Sequence, residues 1–319
     1  QTIVFDWKQF AQYSFWIAVI CFIIAIGSLA ADNVLMEVIS SCLERIFYAG
    51  DQIKALVFLG IAVLLYYWAW RRSRNHPHLL YSNEIYYLMG VFATIISTIF
   101  FYKSLSFADN YLETILLAST FIYAFIGLIC NSKMVWTFSL LALGGWFGAE
   151  TGYRADWQAY FLGMNYPLRF VFFGLILFAL GKSFRYLEKL RRFYDITYVM
   201  GLWYLFIALW LLSIFGNYGT LTDWYALEQN ELLVWAGLMA LFSIGAIIYG
   251  LRFDDVTTRI FGITFLIINL YTRYVEYLWD ALHTAAFFSI LALSFWLIGQ
   301  KAEQIWHLGN ESRELKNGR

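Results

Sequence analysis

Three consecutive segments decide how this chain is read: IFGITFLII (260–268), NLYTRYVEYLWDALH (269–283) and AAFFSILALSFWLIG (285–299). Two apolar runs flank a polar one, and the polar one has helical spacing. Asn269, Arg273, Glu276, Asp280 and His283 step by four, three, four and three residues, so one helix carries all five on a single face. Ionisable groups near hydrocarbon are costly and face protein or a water-filled cavity. The stretch therefore reads as the outer end of a membrane span, with its polar ladder turned toward other helices.

The rest of the chain supports a membrane setting. Of 319 residues, 61% are hydrophobic, 21% aromatic and only 14% charged. A soluble domain is about half apolar and about a quarter charged. Lys and Arg number 22 and so do Asp and Glu, so no basic field suits nucleic acid. Cys21, Cys42 and Cys130 are scattered and imply neither a disulfide framework nor a metal site.

A hydrocarbon core of about 30 Å takes about 20 apolar residues per helix. Ten runs of roughly that kind follow one another: 11–31, 53–70, 85–102, 112–130, 135–149, 168–181, 196–215, 232–251, 260–277 and 285–299. Residues 34–48 repeat apolar side chains at helical spacing, as an amphipathic helix lying on the outer interface would. With the N-terminus placed inside, sixteen Lys and Arg fall in inner segments and six in outer ones. That bias predicts N-in and C-in termini. The expected fold is all-α: a single ten-helix transmembrane bundle. Leu105-Ser-Phe107-Ala-Asp109 and Leu251-Arg-Phe253-Asp-Asp255 end the third and eighth runs. They hint at two inverted halves of five, a layout that transporters use.

A second polar group follows the fifth run, where Glu150, Tyr153, Arg154 and Asp156 succeed a glycine-rich turn. Gly144 and Gly148 form a GxxxG pair that predicts close helix approach there. In the functional reading, Arg273 and Arg154 bind an anionic group, Glu150, Glu276 and Asp280 bind a cation or proton, and His283 tunes the site. In the structural reading, the same groups are interhelical ion pairs, and Asn269 is an interhelical hydrogen-bond donor. No cofactor is expected. His76, His78, His283 and His307 all lie outside span interiors, which argues against haem, and no HExxH, GxSxG, Walker or GxGxxG motif occurs. No charged residue sits mid-span, which argues against a buried proton relay.

GGWFGAETGY (144–153), NYPLRFVFFGLILFALG (165–181) and NLYTRYVEYLWDALHTAAFF (269–288) resemble the bacterial "predicted membrane protein" families. That resemblance implies a multi-pass protein of the bacterial inner membrane and carries over no catalytic residue. In span count, termini and two-half layout the chain is also similar to ten-span drug/metabolite-type transporters. The leading expectation is a transporter-like or ligand-binding permease with a polar site at the outer face. The alternative is a non-catalytic membrane subunit or assembly scaffold. An enzyme acting on lipid-linked substrates comes last. The expected partners are the lipid bilayer and, in the scaffold case, other membrane subunits.

Overall fold

The computed structural model describes residues 50–76, 80–104, 112–219, 221–225, 229–279 and 286–293. Among these the regular structure is helical, apart from one isolated bridge between Phe161 and Met164. The helices are α1 (Asp51–Asn75), α2 (Leu80–Ser104), α3 (Leu112–Cys130), α4 (Lys133–Tyr153), α5 (Tyr166–Ser183), α6 (Tyr194–Phe215), α7 (Leu221–Tyr225), α8 (Leu233–Arg252) and α9 (Val256–Leu278). Residues 286–293 are also helical. The first run (11–31), the amphipathic segment 34–48 and the 105–109 copy of the repeat lie outside the described residues.

Among the described residues, six helical stretches are long and apolar enough to cross a membrane: Asp51–Asn75, Asn83–Ser104, Leu112–Cys130, Tyr166–Tyr186, Arg191–Phe215 and Leu233–Arg252. Helices also form over the fifth and ninth runs, as α4 and α9, but they are not among those six. Glycines and a Glu–Arg pair dilute the end of α4, and Arg259, Asn269, Arg273 and Glu276 dilute α9.

Local chemistry sets several helix starts. Ser132 caps α4 by accepting from Val135 N, Asn165 caps α5 by accepting from Leu168 N, and Asp255 caps α9 by accepting from Thr258 N. Pro167 adds a preset φ in the first turn of α5. Two tight hairpins share one device. Asn131 (φ 58°) and Asp254 (φ 54°) adopt the left-handed conformation that ends a helix, and the next residue caps the following one. That geometry accounts for the Asp254–Asp255 end of the second repeat copy as a helix-stop, helix-start signal.

The chain divides into two compact units, 1–205 and 206–319, with the boundary inside α6. In the first unit, α1 and α2 run antiparallel. Ser97 donates to the Ala55 carbonyl at 2.7 Å, and the Tyr66 and Thr94 hydroxyls meet at 3.2 Å. α3 and α4 also pair antiparallel, with Ser139 donating to the Thr120 carbonyl and Gly127 lying against the Trp136 backbone. Ala62, Tyr66, Val91, Tyr123, Val135 and Phe138 form a core shared by α1 to α4. A second core joins α4, α5 and the start of α6 through Trp136, Phe173, Leu177 and Phe193. Trp136 stacks on Phe193 at 4.4 Å and donates to the Thr197 hydroxyl. Large apolar side chains such as Leu56, Leu64, Phe121, Phe125 and Ile176 remain exposed, as lipid-facing positions would be.

Among the described helices, α5 and α6 make the closest backbone seam. A Cβ on Gly201 would lie 2.5 Å from Phe178 N, and one on Gly181 would lie 2.8 Å from the Tyr198 Cα. One on Gly174 would collide with the Leu205 backbone. The glycines of α4 serve another purpose: Gly144 receives the Tyr204 ring and Gly148 the Phe170 ring. The GxxxG pair thus makes room for aromatic side chains rather than for a neighbouring backbone.

At one end of this unit, Glu84 of α2 closes the N-terminus of α4. Its carboxylate accepts from the Ser132 hydroxyl at 2.7 Å and from the Lys133 and Met134 backbone N–H groups. These are orphan donors at the positive end of a helix dipole. Glu84→Ala is expected to cost about 2 kcal/mol, since three donors lose a charged acceptor. Glu84→Gln, which keeps one acceptor oxygen, should cost less. Thermal denaturation of the detergent-solubilised protein checks both.

Candidate functional site

The polar ladder is built on α9 in the second unit. α9 packs antiparallel on α8, close enough that a Cβ on Gly262 would sit 2.6 Å from the Ser243 carbonyl oxygen. From this position Asn269, buried, donates through Nδ2 to the Ala236 carbonyl of α8 at 2.9 Å. One turn on, Arg273 donates through Nη2 to the Ser213 carbonyl in the last turn of α6 at 2.8 Å. Its Nη1 pairs with the Glu276 carboxylate.

The partner of Arg273 has a clear physical logic. A helix leaves its last carbonyls unpaired and carries partial negative charge there. At the end of α6, Leu212 O takes the N–H of left-handed Gly216, Ser213 O takes Arg273, and Ile214 O takes the Trp224 indole N–H at 2.9 Å. Alongside, the Trp210 indole donates to the Thr272 hydroxyl at 3.0 Å. Asn269 and Arg273 are thus interhelical ties, and Glu276 holds Arg273 from within α9.

The ties do not exhaust their hydrogen-bonding groups. Asn269 Oδ1 and Arg273 Nε are buried and have no hydrogen-bond partner among the described residues. They sit one turn apart on the same face: one acceptor, one donor. Buried polar groups are almost always satisfied, so a cluster of exceptions is informative. Asp280 and His283 lie outside the described residues.

Glu150 and Arg154 form their own pair in the first unit. Arg154 Nε lies 2.6 Å from Glu150 Oε1, across one turn at the end of α4, with the arginine side chain mostly exposed. An exposed i,i+4 pair of this kind contributes little, about 0.3–0.5 kcal/mol.

Arg169, one of the six Lys and Arg residues of the outer segments, is 1% exposed. Its Nε donates to the Met164 carbonyl at 2.9 Å and its Nη2 to the Ala159 carbonyl at 3.0 Å. Its guanidinium lies 4.5 Å from the Tyr166 ring centroid and 5.6 Å from that of Phe161. No carboxylate pairs with it among the described residues. The signal available in the sequence was weak: a lone Arg in the first turn of an apolar helix, among aromatic residues.

No group of three His, Cys, Asp or Glu side chains suited to a metal occurs among the described residues. The chain matches no protein-family model, no curated protein and no solved structure.

Proposed function

We propose that this is a ten-span protein of the bacterial inner membrane, N-in and C-in, acting as a ligand-binding permease. Its polar site lies on the outer part of α9. The observation that carries this reading is the pair Asn269 Oδ1 and Arg273 Nε, buried beside the Arg273–Glu276 ion pair and without a hydrogen-bond partner among the described residues. Such a pair suits a small polar ligand that offers both an acceptor and a donor, such as a carboxylate bearing an amine or hydroxyl.

The topology has separate support. Within the first unit, Glu84 meets Ser132 and Lys133 meets Asp195, so the α1–α2, α3–α4 and α5–α6 connections share one end. That end holds Arg71, Arg72, Arg74, Lys133 and the basic connector 182–192, as a cytoplasmic face would. α4 runs between that end and the other, shielded over 134–140 by continuously buried residues. Shielding of this kind allows a span to be less apolar than its neighbours.

The test is the double change Arg273→Gln with Glu276→Gln in proteoliposomes, using labelled amino acids and hydroxy acids as probes. Both side chains lose their charge, and the shorter residue at 273 gives up the bond to the Ser213 carbonyl, so the thermal midpoint is measured alongside uptake. Uptake shown by the wild type should be lost. Unchanged uptake in a stable double variant would sink the site.

A second reading, a non-catalytic membrane subunit, is favoured by the closure of α6 through Arg273. It expects no uptake by the wild type and co-purification with a larger complex in mild detergent.

A further inference from the structure

We propose that the loop 154–165 between α4 and α5 is an interfacial anchor, shaped to sit in the headgroup–acyl boundary of a bilayer. The loop is built rather than slack. Arg169 holds it from beneath through the Ala159 and Met164 carbonyls, and Phe161 and Met164 bond each other reciprocally at 3.0 Å. Trp157 N donates to the Gly152 carbonyl at 2.8 Å. Asp156, Trp157 and Leu162 adopt φ values of 49°, 57° and 51°. Left-handed backbone is costly for non-glycine residues, above all bulky ones, and persists where the surroundings impose it.

Those conformations present Trp157 and Leu162 outward, at 57% and 80% exposure, beside exposed Tyr153 and Tyr160. Trp157 keeps one part of its ring near Gly152 while the rest faces out. Aromatic side chains with a polar tip, together with an aliphatic one, are the composition that headgroup-level surfaces favour. A loop meant for bulk water gains nothing from fixing a leucine at that exposure. The membrane is also the continuous neighbour. α5 begins at Tyr166, within a membrane-capable stretch, and exposes Phe172, Ile176 and Leu180 every four residues. The anchor thus adjoins the start of a lipid-facing line.

This inference rests on the membrane-spanning reading, and the experiment separates the two. Leu162→Cys is introduced where Cys21, Cys42 and Cys130 have been replaced by serine, and it is labelled with an environment-sensitive dye. The protein goes into nanodiscs of phosphatidylcholine and phosphatidylglycerol. Ile176→Cys on α5 is labelled in parallel. The dye at 162 is expected to be quenched by a lipid nitroxide placed near the headgroups, with iodide quenching several-fold below that of free dye. The dye at 176 should respond to a deeper nitroxide. Iodide access at 162 equal to free dye, with 176 still lipid-quenched, overturns the anchor and leaves the span. Iodide access at both positions overturns both. Protection at 162 from iodide and nitroxide alike means protein covers the loop, which also overturns a lipid partner. A label at Trp157→Cys repeats the measurement if the 162 variant loses its wild-type thermal midpoint.

Discussion

Gly174→Ala combined with Gly201→Ala is expected to lower stability by about 3 kcal/mol or more, because each added methyl enters backbone rather than side chain. At Gly174 the methyl would collide with the Leu205 backbone, and at Gly201 it would lie 2.5 Å from Phe178 N. A flexible side chain can swing aside at little cost, but here α5 and α6 must separate. Between helices in lipid, contact packing replaces the hydrophobic drive, so separating two helices loses the main source of their attraction. Gly237→Ala and Gly245→Ala on α8 are the controls, since nothing among the described residues lies within 4 Å of either added methyl. Alanine there should be neutral or stabilising by up to about 1 kcal/mol, the helix-propensity difference. Unfolding midpoints in graded sodium dodecyl sulfate compare the two pairs. Equal losses at seam and control would mean that the α5–α6 approach is not as close as described.

Arg169→Met should release the loop while keeping the apolar stem of the side chain. The change removes two charge-assisted bonds to the Ala159 and Met164 carbonyls and a cation held over the Tyr166 ring. Bonds to charged groups are worth about 1.5–3 kcal/mol each, so a loss of about 3 kcal/mol in loop closure is expected. Limited trypsin digestion reads this directly, because Arg154 lies where the loop leaves α4. When opening is fast relative to cleavage, the cut rate follows the open population, so cleavage after Arg154 should rise about a hundredfold. Unchanged cleavage would show that the loop is held by other contacts.

Much of the architecture was legible in the sequence because membranes impose simple rules. Length and apolarity placed α1, α3, α6 and α8 within a few residues of where they form. α1 runs on to Asn75, past the apolar end at Trp70, because Arg72 and Arg74 lie over the Tyr86 and Trp70 rings.

The pairings between helices were not legible. Nothing near Glu84 announces that it caps a helix 48 residues later, and nothing near Arg273 names the Ser213 carbonyl. The GxxxG spacing at Gly144 pointed to a backbone seam, but small residues make room equally well for rings. On that question composition is silent, and the neighbour decides. The spacing of the ladder on α9 was sound for Asn269, Arg273 and Glu276. What they bond to depends on α6 and α8, which sequence spacing does not reach.

The two-residue turn Asn131–Ser132 has a consequence for biogenesis. On the ten-span reading, glycines, threonines and Glu150 make α4 less apolar than the six membrane-capable helices, so an insertion channel releasing helices one at a time would hold it less firmly. α3, which is strongly apolar, emerges just ahead and is joined by a turn too short for any orientation but antiparallel. The pair is thus suited to leave the channel together as a preformed hairpin. A longer spacer at 131–132 would then be felt first during synthesis, as failed integration of α4, rather than in the finished molecule.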